Sequence, residues 1–375
     1  MLTVHPLGAW MEALPEEGLR GLTTIAHVAA LAGVGVGTVS RVLNDSGAVS
    51  PGTRRRVQEA IDALDYEPSA AARALSTGRT LAVGIVAPFA TRPSVIERLR
   101  GAAQHISAAG YQLVLLDVDR PEHLAGAVRS VAVKGRFDGL LVISLPLRES
   151  AVSRVRSAGI PLVLIDRQES GLAGVHIDDH AGGRLAAEHL LGLGHVRIAF
   201  LGDDESNPYG FDSSARRRAG YEAALRDAGV EVRPELVVTG PHGRSVARTL
   251  ATQLLALPHP PTAIFAASDD QAVGVIDAAN AVGVEIPGDL SVIGFDDIEI
   301  ARYVGLTTVA QPLEASGRRA AELLLAQIEG WPATAEELPC ELIVRETTAV
   351  RGSGMMRESL RQVEGESSMR GSVYG

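Results

Sequence analysis

The sequence predicts a small all-α head followed by a larger α/β body of two doubly wound lobes. Residues 24–64 hold three short helical patterns, and the first two are joined by a turn at Gly33. From about Thr80, runs of Val, Ile and Leu alternate with helical patterns, and the whole alternation occurs twice. Continuous apolar strands separated by helices are typical of a parallel sheet covered on both faces.

The head is predicted as three helices, at about residues 25–31, 36–43 and 51–64. Thr24 and Ser50 are the residue types that cap helix N-termini, and Pro51 suits a first helical position. Gly33 can take a positive φ without steric cost. Two short helices joined by a glycine-containing turn are the helix-turn-helix signature, whose second helix enters the DNA major groove.

The body divides into two sets of strands with helices between them. The strand runs lie at residues 81–87, 111–119, 139–144 and 161–167, and then at 196–202, 236–240, 262–268 and 290–297. The helical patterns lie at about 94–109, 122–134, 149–158, 179–193, 213–228, 243–256 and 269–282. Two similar α/β lobes imply a cleft between them, with a ligand at the carboxyl ends of the strands.

Composition narrows the class of protein. The chain is 46% hydrophobic, as a globular protein is, and its one cysteine, Cys340, excludes an internal disulfide framework. The net charge is −10, yet residues 23–79 hold six arginines against five carboxylates, so the negative charge lies on the rest. Phosphate attraction is local, so only the head is expected to dock on DNA. No signal peptide or bilayer-spanning apolar run is apparent, which predicts a cytoplasmic protein without membrane association.

Two long stretches resemble a known family. AGVGVGTVSRVLN, followed by VSPGTRRRVQEAIDALDYEPSAAARAL, resembles the DNA-binding head of the lactose-repressor (LacI/GalR) family of bacterial transcription regulators. The two lobes resemble the periplasmic-binding-protein-like body of the same family. Residues 306–330 resemble its return into the first lobe, and residues 337–349 resemble its closing strand.

The resemblance implies a sequence-specific transcriptional repressor whose operator affinity is controlled by a small ligand between the lobes. It also implies a homodimer on a palindromic operator. The chain is accordingly divided into a loose N-terminal extension (1–22), a helix-turn-helix domain (23–68), a hinge (69–79), an effector-binding and dimerisation domain (80–350) and a polar tail (351–375).

The second helix carries the residues expected to contact DNA. Val36 and Gly37 begin it, and Arg41 can reach the same groove, where a bidentate arginine–guanine pair is the commonest specific contact. Short polar side chains are suited to hydrogen bonds with phosphates. The residues predicted to make such contacts are Thr24, Thr38, Ser40, Asn44 and Thr53. By resemblance, Leu75 matches the hinge leucine that wedges between base pairs, and Ala72 matches the small residue of the hinge interface. The family usually has serine at the position of Gly35.

The cleft residues come from strand ends and from the resemblance. Asp296 and Arg217 match the ligand-binding aspartate and arginine of the family. The other candidates are Phe89, Ser144, Asp166, Ser268, Asp269 and Gln311. For Asp269, helix capping is an equal alternative. Carboxylates, guanidinium groups and an aromatic wall favour a carbohydrate, with a nucleoside or another small polar metabolite as the second choice.

Two other classes of protein fit the sequence less well. The DNA-binding head and the missing signal peptide argue against a pure solute-binding protein. The sequence has no GxGxxG loop after a strand, no Walker motif and no His/Cys cluster at metal-binding spacing, which argues against an enzyme. The prediction is a non-enzymatic regulator without a cofactor or a metal.

Overall fold

Three helices form the N-terminal unit of the protein, which ends at Leu81, and a second unit begins at Ala82. The computed structural model describes residues 23–67, 78–204 and 206–352. The three helices are α1 (Ile25–Ala32), α2 (Val36–Leu43) and α3 (Pro51–Ala63). No single described helix is long and apolar enough to cross a membrane. Helices α1 and α2 reach the required length and apolar composition only when taken together, and they are bent by 104° relative to each other.

Local sequence explains where these helices begin and end. The Ser50 hydroxyl accepts a hydrogen bond from the Thr53 N–H at 3.3 Å, and Pro51 stands at the first helical position, as predicted. Gly33 ends α1 with φ 65°, the left-handed conformation that a residue without a Cβ adopts at least cost. Buried side chains from all three helices and from the residue Tyr66 after α3 form one core. Its members are Val28, Ala29, Ala32, Val39, Val42, Val57, Ala60 and Tyr66.

The second unit alternates strands and helices. Its first elements are β1 (Ala82–Pro88), α4 (Pro93–Ala108), β2 (Gln112–Val118), α5 (His123–Val131), β3 (Gly139–Ile143), α6 (Glu149–Ser157), β4 (Leu162–Ile165), β5 (Ala173–Ile177) and α7 (Asp179–Gly192). They are followed by β6 (Ile198–Asp203), α8 (Ser213–Asp227), a 3₁₀ turn (Pro234–Leu236), β7 (Val237–Gly240), α9 (Arg244–Leu255), β8 (Ala263–Ala266) and α10 (Asp269–Val282). The last elements are β9 (Ser291–Asp296), α11 (Glu299–Tyr303), β10 (Thr307–Ala310), α12 (Leu313–Ile328), β11 (Ala335–Leu338) and β12 (Glu341–Ile343).

The strands form two six-stranded sheets, one in each lobe. The first has the order β11-β5-β4-β3-β1-β2 and is parallel throughout, whereas the second has the order β12-β10-β9-β8-β6-β7. Among the described strands, only β12 runs antiparallel to its neighbour, β10. The chain crosses between the lobes after β5, between β10 and α12, and between β11 and β12. These crossings place the carboxyl ends of strands from both sheets at one cleft.

The predicted two-lobed α/β architecture is confirmed, and every predicted strand and helix of the two sets is present. The strand β5 and the short helix α11 were missed, because neither has a long apolar run. The prediction of one closing strand within residues 337–349 was wrong. The segment forms the end of β11 and all of β12, which belong to different sheets because the chain changes lobe between them.

Candidate functional site

Helix α2 presents one face to the core of the head and the other to solvent. Val39 and Val42 are buried in the core that α2 shares with α1 and α3. The opposite face carries Val36, which is 45% exposed, together with exposed Gly37 and Arg41. The first turn of α2 and the Arg41 guanidinium are therefore accessible to a DNA groove.

The charge of Arg41 is not offset within the head. Arg54 is paired with Asp45 at 2.8 Å. Arg41, in contrast, forms no ion pair within residues 23–67. A guanidinium without a carboxylate partner is available to guanine or to phosphate.

The short polar side chains predicted to contact phosphates also shape the helix ends. Asn44 is the C-cap of α2, and its amide donates to the carbonyl of Ser40 at 2.9 Å. Thr24 is the N-cap of α1, and Thr53 lies in the first turn of α3. Thr38 is half-buried on α2. Capping and phosphate contact are compatible, and the contacts with DNA stay predictions.

Gly35 occupies the N-cap of α2 in extended conformation and makes no side-chain cap bond. The hinge residues Ala72 and Leu75 lie outside the described residues. Their assigned role rests on the resemblance alone.

In the second unit, several residues at the strand ends beside the cleft have an unusual backbone conformation, with a positive φ. Five non-glycine residues at or directly after strands have a positive φ: Phe89 (48°), Ser144 (55°), Asp166 (66°), Asp296 (119°) and Asp297 (58°). Such backbone costs about 1–3 kcal/mol per residue and clusters at functional sites. Ser144, Asp166 and Asp296 line a cavity of about 80 Å³ between the lobes. Four of these five residues, all except Asp297, are ones that the sequence predicted for ligand binding.

The first lobe supplies Arg98, a residue of α4 that is 3% exposed. Its Nη2 lies 2.7 Å from Oδ1 of Asp166 and donates to Oε1 of Gln311 at 2.8 Å. The Ser144 hydroxyl donates to the other carboxylate oxygen of Asp166 at 2.7 Å. The buried Nε of Arg98 has no acceptor among the described residues, and an unmet buried donor costs about 1–3 kcal/mol. An acceptor on a ligand would satisfy it.

The second lobe supplies Arg217, a residue of α8 that is 6% exposed. Its Nε donates to Oδ1 of Asp179 at 2.8 Å, and its Nη1 donates to the carbonyl of Ala267 at 2.6 Å. The same Nη1 lies 3.6 Å from Oδ1 of Asp296. The guanidinium also stacks over the Phe295 ring, 3.6 Å from its centroid. These contacts fix the guanidinium plane without involving the first lobe.

Gln311 joins the two halves. Its Oε1 accepts from Arg98, and its Nε2 donates to Oδ1 of Asp296 at 2.5 Å. It stands just after β10, where the chain returns to the first lobe. The two arginine–carboxylate groups therefore form one network across the cleft. A cavity of about 80 Å³ is far below the ~300–1,000 Å³ of small-molecule sites, so a ligand of ordinary size would need the lobes to separate.

Both arginines are held by close helix crossings on glycine. In the first lobe α4 packs against α12, and in the second α7 packs against α8. A Cβ added at Gly317 would clash with the carbonyl oxygen of Arg98, and one at Gly183 with that of Arg217. Each arginine also stands three residues before a second close-packed glycine, in the pairs Arg98–Gly101 and Arg217–Gly220. Each lobe therefore positions its arginine by close packing of two helices at glycine residues.

Aromatic side chains from both lobes meet beside the cleft. Phe89, after β1, packs edge-on against Tyr209 with 4.7 Å between ring centroids, and Tyr209 stacks on Phe211 at 5.3 Å. The Arg92 guanidinium lies 4.0 Å from the Phe89 centroid. The Tyr209 hydroxyl donates to the carbonyl of Asp119 in the first lobe. This aromatic cluster (Phe89, Tyr209, Phe211) therefore spans the two lobes.

Two neighbouring candidates have different surroundings. Ser268 lines the cavity, and its hydroxyl caps α10 by accepting from the Gln271 N–H at 3.3 Å. Asp269 is fully buried, and its carboxylate accepts from Thr308 Oγ1 at 2.6 Å and from the Ile298 N–H at 3.0 Å. This position does not support the predicted ligand contact of Asp269, because both carboxylate oxygens are used inside the second lobe.

Burial and charge act in opposite directions on this network. Burial raises the pKa values of Asp296 and Asp179, although the nearby Arg217 lowers both. Burial lowers the pKa of Arg217, but the carboxylates of Asp179, Asp296 and Asp166 outweigh it, and the net shift is upward. Arg217 therefore stays charged, and each added proton on the aspartates would weaken the network.

Several residues that line the cavity were not predicted from the sequence, among them the charged or titratable side chains Arg98, Asp203 and His242. Nδ1 of His242 lies 3.0 Å from Oδ1 of Asp203, which also accepts from Gln271 Nε2 at 2.9 Å. The signal for Arg98 was present, since Arg-x-x-Gly occurs on α4 as on α8. Nothing in the sequence marked the histidine, which stands in a loop before α9.

Comparison with known proteins agrees with this geometry. Residues 24–69 match the family model of bacterial regulatory proteins, lacI family, and residues 187–348 match the periplasmic binding protein-like domain. The HTH-type transcriptional repressor PurR of Vibrio atlanticus (strain LGP32) is 35% identical over 314 residues, which are 82% of this chain and 92% of that protein. The chain belongs to the lacI family of bacterial regulatory proteins.

Solved structures of lacI-family regulators share the fold. The complex of the transcriptional regulator CelR with cellobiose is 32% identical, with a TM-score of 0.64, and covers 87% of this chain and 99% of its own. The lac repressor dimer bound to operator and the anti-inducer ONPF is 27% identical, with a TM-score of 0.77 and the same coverage of both chains. The present lacI-family protein is therefore a DNA-binding transcription regulator, and regulators of this family respond to small-molecule effectors.

Proposed function

We propose that this lacI-family protein is a homodimeric repressor whose affinity for a palindromic operator is controlled by a carbohydrate bound between its lobes. The observation that carries the proposal is the arginine–carboxylate network. Arg98 and Asp166 come from the first lobe, and Arg217 and Asp296 come from the second. All four side chains line one cavity.

The charges of the network favour a neutral, hydroxyl-rich ligand. A sugar hydroxyl can donate to a carboxylate and accept from a guanidinium at the same time. A strongly charged ligand would leave buried groups of one sign uncompensated, which is costly. Two similar regulators were solved with sugars, namely CelR with cellobiose and a lacI-family regulator of Enterococcus faecium with ribose, the latter 27% identical over 72% of this chain.

A ligand with a planar ring, such as a nucleobase or nucleoside, is the second candidate. The aromatic cluster favours it, because Phe211 lines the cavity and packs against Tyr209, and a flat ring could stack on the exposed face of an aromatic side chain. The same rings can also pack against the apolar face of a sugar. Footprinting with sugars, a nucleobase and a nucleoside distinguishes the two kinds of ligand.

Each domain of the chain has its own role in the proposed function. Residues 23–68 read the operator through Arg41 and the first turn of α2, and residues 69–79 act as the hinge. Residues 80–350 bind the effector and form the dimer. One helix-turn-helix unit reads only a few base pairs, so two are needed for useful specificity. We place the protein in the cytoplasm, without enzymatic activity.

Lobe closure is the proposed switch. A ligand that bridges Arg98 and Arg217 binds one closure better than another, and it shifts the equilibrium by that difference in affinity. The first strand, β1, begins at Ala82, directly after the hinge. A change in the orientation of the first lobes therefore changes the spacing of the two hinges in the dimer and the affinity for the operator.

The test is DNase footprinting upstream of the protein's own gene, repeated with cellobiose, ribose, adenine and adenosine. A protected palindrome whose protection changes with a sugar supports the proposal. A change with adenine or adenosine alone selects the planar-ring ligand. Random, salt-sensitive binding without a protected site contradicts the operator-binding proposal.

A further inference from the structure

A second cavity lies outside the effector cleft, on the first lobe. It is a groove of about 710 Å³ between α5 and α6, and this volume falls within the ~300–1,000 Å³ typical of small-molecule sites. Its floor includes Val128 of α5 and Leu145, which are buried. We call it the lateral groove. Its lining residues come from three segments of the chain, at 121–129, 145–154 and 208–210.

Three arginines line the groove: Arg129, Arg148 and Arg154. None forms an ion pair with any residue in the described ranges. One carboxylate, Glu122, lines the same groove. An apolar floor with an excess of unpaired guanidinium groups suits a ligand that carries an anionic group on an apolar body, because guanidinium recognises phosphate or carboxylate by paired hydrogen bonds.

The second lobe supplies one wall of the lateral groove. The loop Pro208-Tyr209-Gly210 reaches over the first lobe, and a Cβ at Gly210 would lie 3.2 Å from Cγ of Pro146. The Tyr209 hydroxyl donates to the Asp119 carbonyl across the same boundary. The groove therefore has this shape only when the two lobes are closed on each other.

The lateral groove and the effector cleft share a strand end. Ser144 faces the cleft, where it donates to Asp166, and the next residue, Leu145, lines the groove. Tyr209 likewise belongs to the groove wall and to the aromatic cluster beside the cleft. A ligand in one site thus contacts elements that shape the other.

We propose that the lateral groove is a second binding site, for a small anionic ligand with an apolar body, and that its occupation favours the closed lobes. The anionic group pairs with Arg129 and Arg154, and the apolar body packs on Val128 and Leu145. By linkage, a ligand that selects the closed lobes changes the affinity of the cleft for its own ligand. This site is separate from the proposed effector site, and its binding test requires neither DNA nor effector.

The test is isothermal titration calorimetry of the full chain with phenyl phosphate, benzoate and inorganic phosphate. The groove predicts saturable binding of phenyl phosphate or benzoate, with inorganic phosphate at least about tenfold weaker because it lacks the apolar body. The preferred aromatic anion identifies the anionic group. Equal affinity for phenyl phosphate and inorganic phosphate, or no saturable binding of either aromatic anion, would overturn the proposal.

Variants locate the bound probe. Arg129→Gln with Arg154→Gln is expected to weaken it at least about tenfold, since two charge-assisted contacts are lost. Ala125→Glu, on the exposed part of α5, should weaken it by repulsion. The matched control is Arg248→Gln, which removes an exposed arginine of α9 in the other lobe and should change nothing. Unaltered affinity in both groove variants would refute the site.

Two more variants separate the groove from the cleft. His242→Gln changes a cleft residue whose described hydrogen bonds go to Asp203 of the same lobe, and it should leave affinity for the aromatic anion unchanged, whereas loss of binding would place the probe in the cleft. Tyr209→Ala removes part of the wall that comes from the second lobe and should weaken binding several-fold. Full affinity in Tyr209→Ala would overturn the claim that the groove senses closure.

Discussion

Replacing Asp296 with alanine is expected to remove the effector response while leaving effector-free operator binding close to that of wild type. The carboxylate accepts from Gln311 at 2.5 Å and lies 3.6 Å from Nη1 of Arg217. Arg217 keeps Asp179 at 2.8 Å and the carbonyl of Ala267 at 2.6 Å after the change. The arginine is therefore not left as an unpaired buried charge, and the structural cost is one hydrogen bond to a charged group, about 1.5–3 kcal/mol.

The same magnitude applies to the ligand. Losing one hydrogen bond between a sugar hydroxyl and a carboxylate costs about 1.5–3 kcal/mol, which weakens effector binding by about 10- to 150-fold. The assay is fluorescence anisotropy with a labelled operator, with and without the sugar identified by footprinting. Asp277→Ala is the matched control, because it removes an exposed carboxylate from α10 of the same lobe.

Two results would refute this reasoning. A full response of Asp296→Ala at the wild-type sugar concentration would show that Asp296 does not bind the effector. Collapse of effector-free operator binding, with Asp277→Ala unaffected, would show that its role is structural. The cleft assignment would then have to move to the Arg98 side.

Further predictions concern the head, the hinge, the helix crossings and pH. Arg41→Ala should cost about 1–3 kcal/mol on the operator and little on random DNA, and equal losses in a competition assay would assign Arg41 to phosphate. Leu75→Ala should reduce DNA bending in a circular-permutation gel while effector affinity stays constant; an unchanged bend would disprove the wedge. Gly317→Ala should lower the free energy of unfolding by about 1–3 kcal/mol through overpacking, and it should weaken the effector response because the added Cβ displaces Arg98. Chemical denaturation measures the first effect and fluorescence anisotropy the second. Wild-type values in both assays would contradict the role of this glycine in positioning Arg98. Burial lowers the pKa of His195, so the unfolded chain binds its proton more readily and stability is lost as pH falls below the ordinary histidine value of about 6.5; melting curves of His195→Gln should depend less on pH in that range, and an equal dependence would refute this.

The sequence was most informative where a local rule acts alone. The turn at Gly33 and the cap at Ser50 depend on a few neighbouring residues, and both were predicted. The strand runs were equally clear, because strands buried on both faces are apolar throughout. Asp166 and Asp296 followed from their places at strand ends.

The rest depends on which elements meet in space. Arg98 lies 213 residues from Gln311 in sequence, and only the return of the chain after β10 brings them together. Asp269 stands beside Ser268, yet one lines the cavity and the other is buried behind it. The side chains of adjacent residues at the start of a helix point in different directions. The sequence alone did not show which of these two faces the cavity. The split of residues 337–349 between two sheets likewise depends on the crossing between lobes.

The central claim is that one ligand bridges both lobes and that this controls the operator. Its most direct test is reciprocity, measured as operator affinity with and without saturating effector and as effector affinity with and without operator. Both ratios are expected to equal the same factor, of about 5- to 150-fold, which corresponds to a coupling of about 1–3 kcal/mol. An effector that binds the free and the operator-bound protein with the same affinity would contradict it.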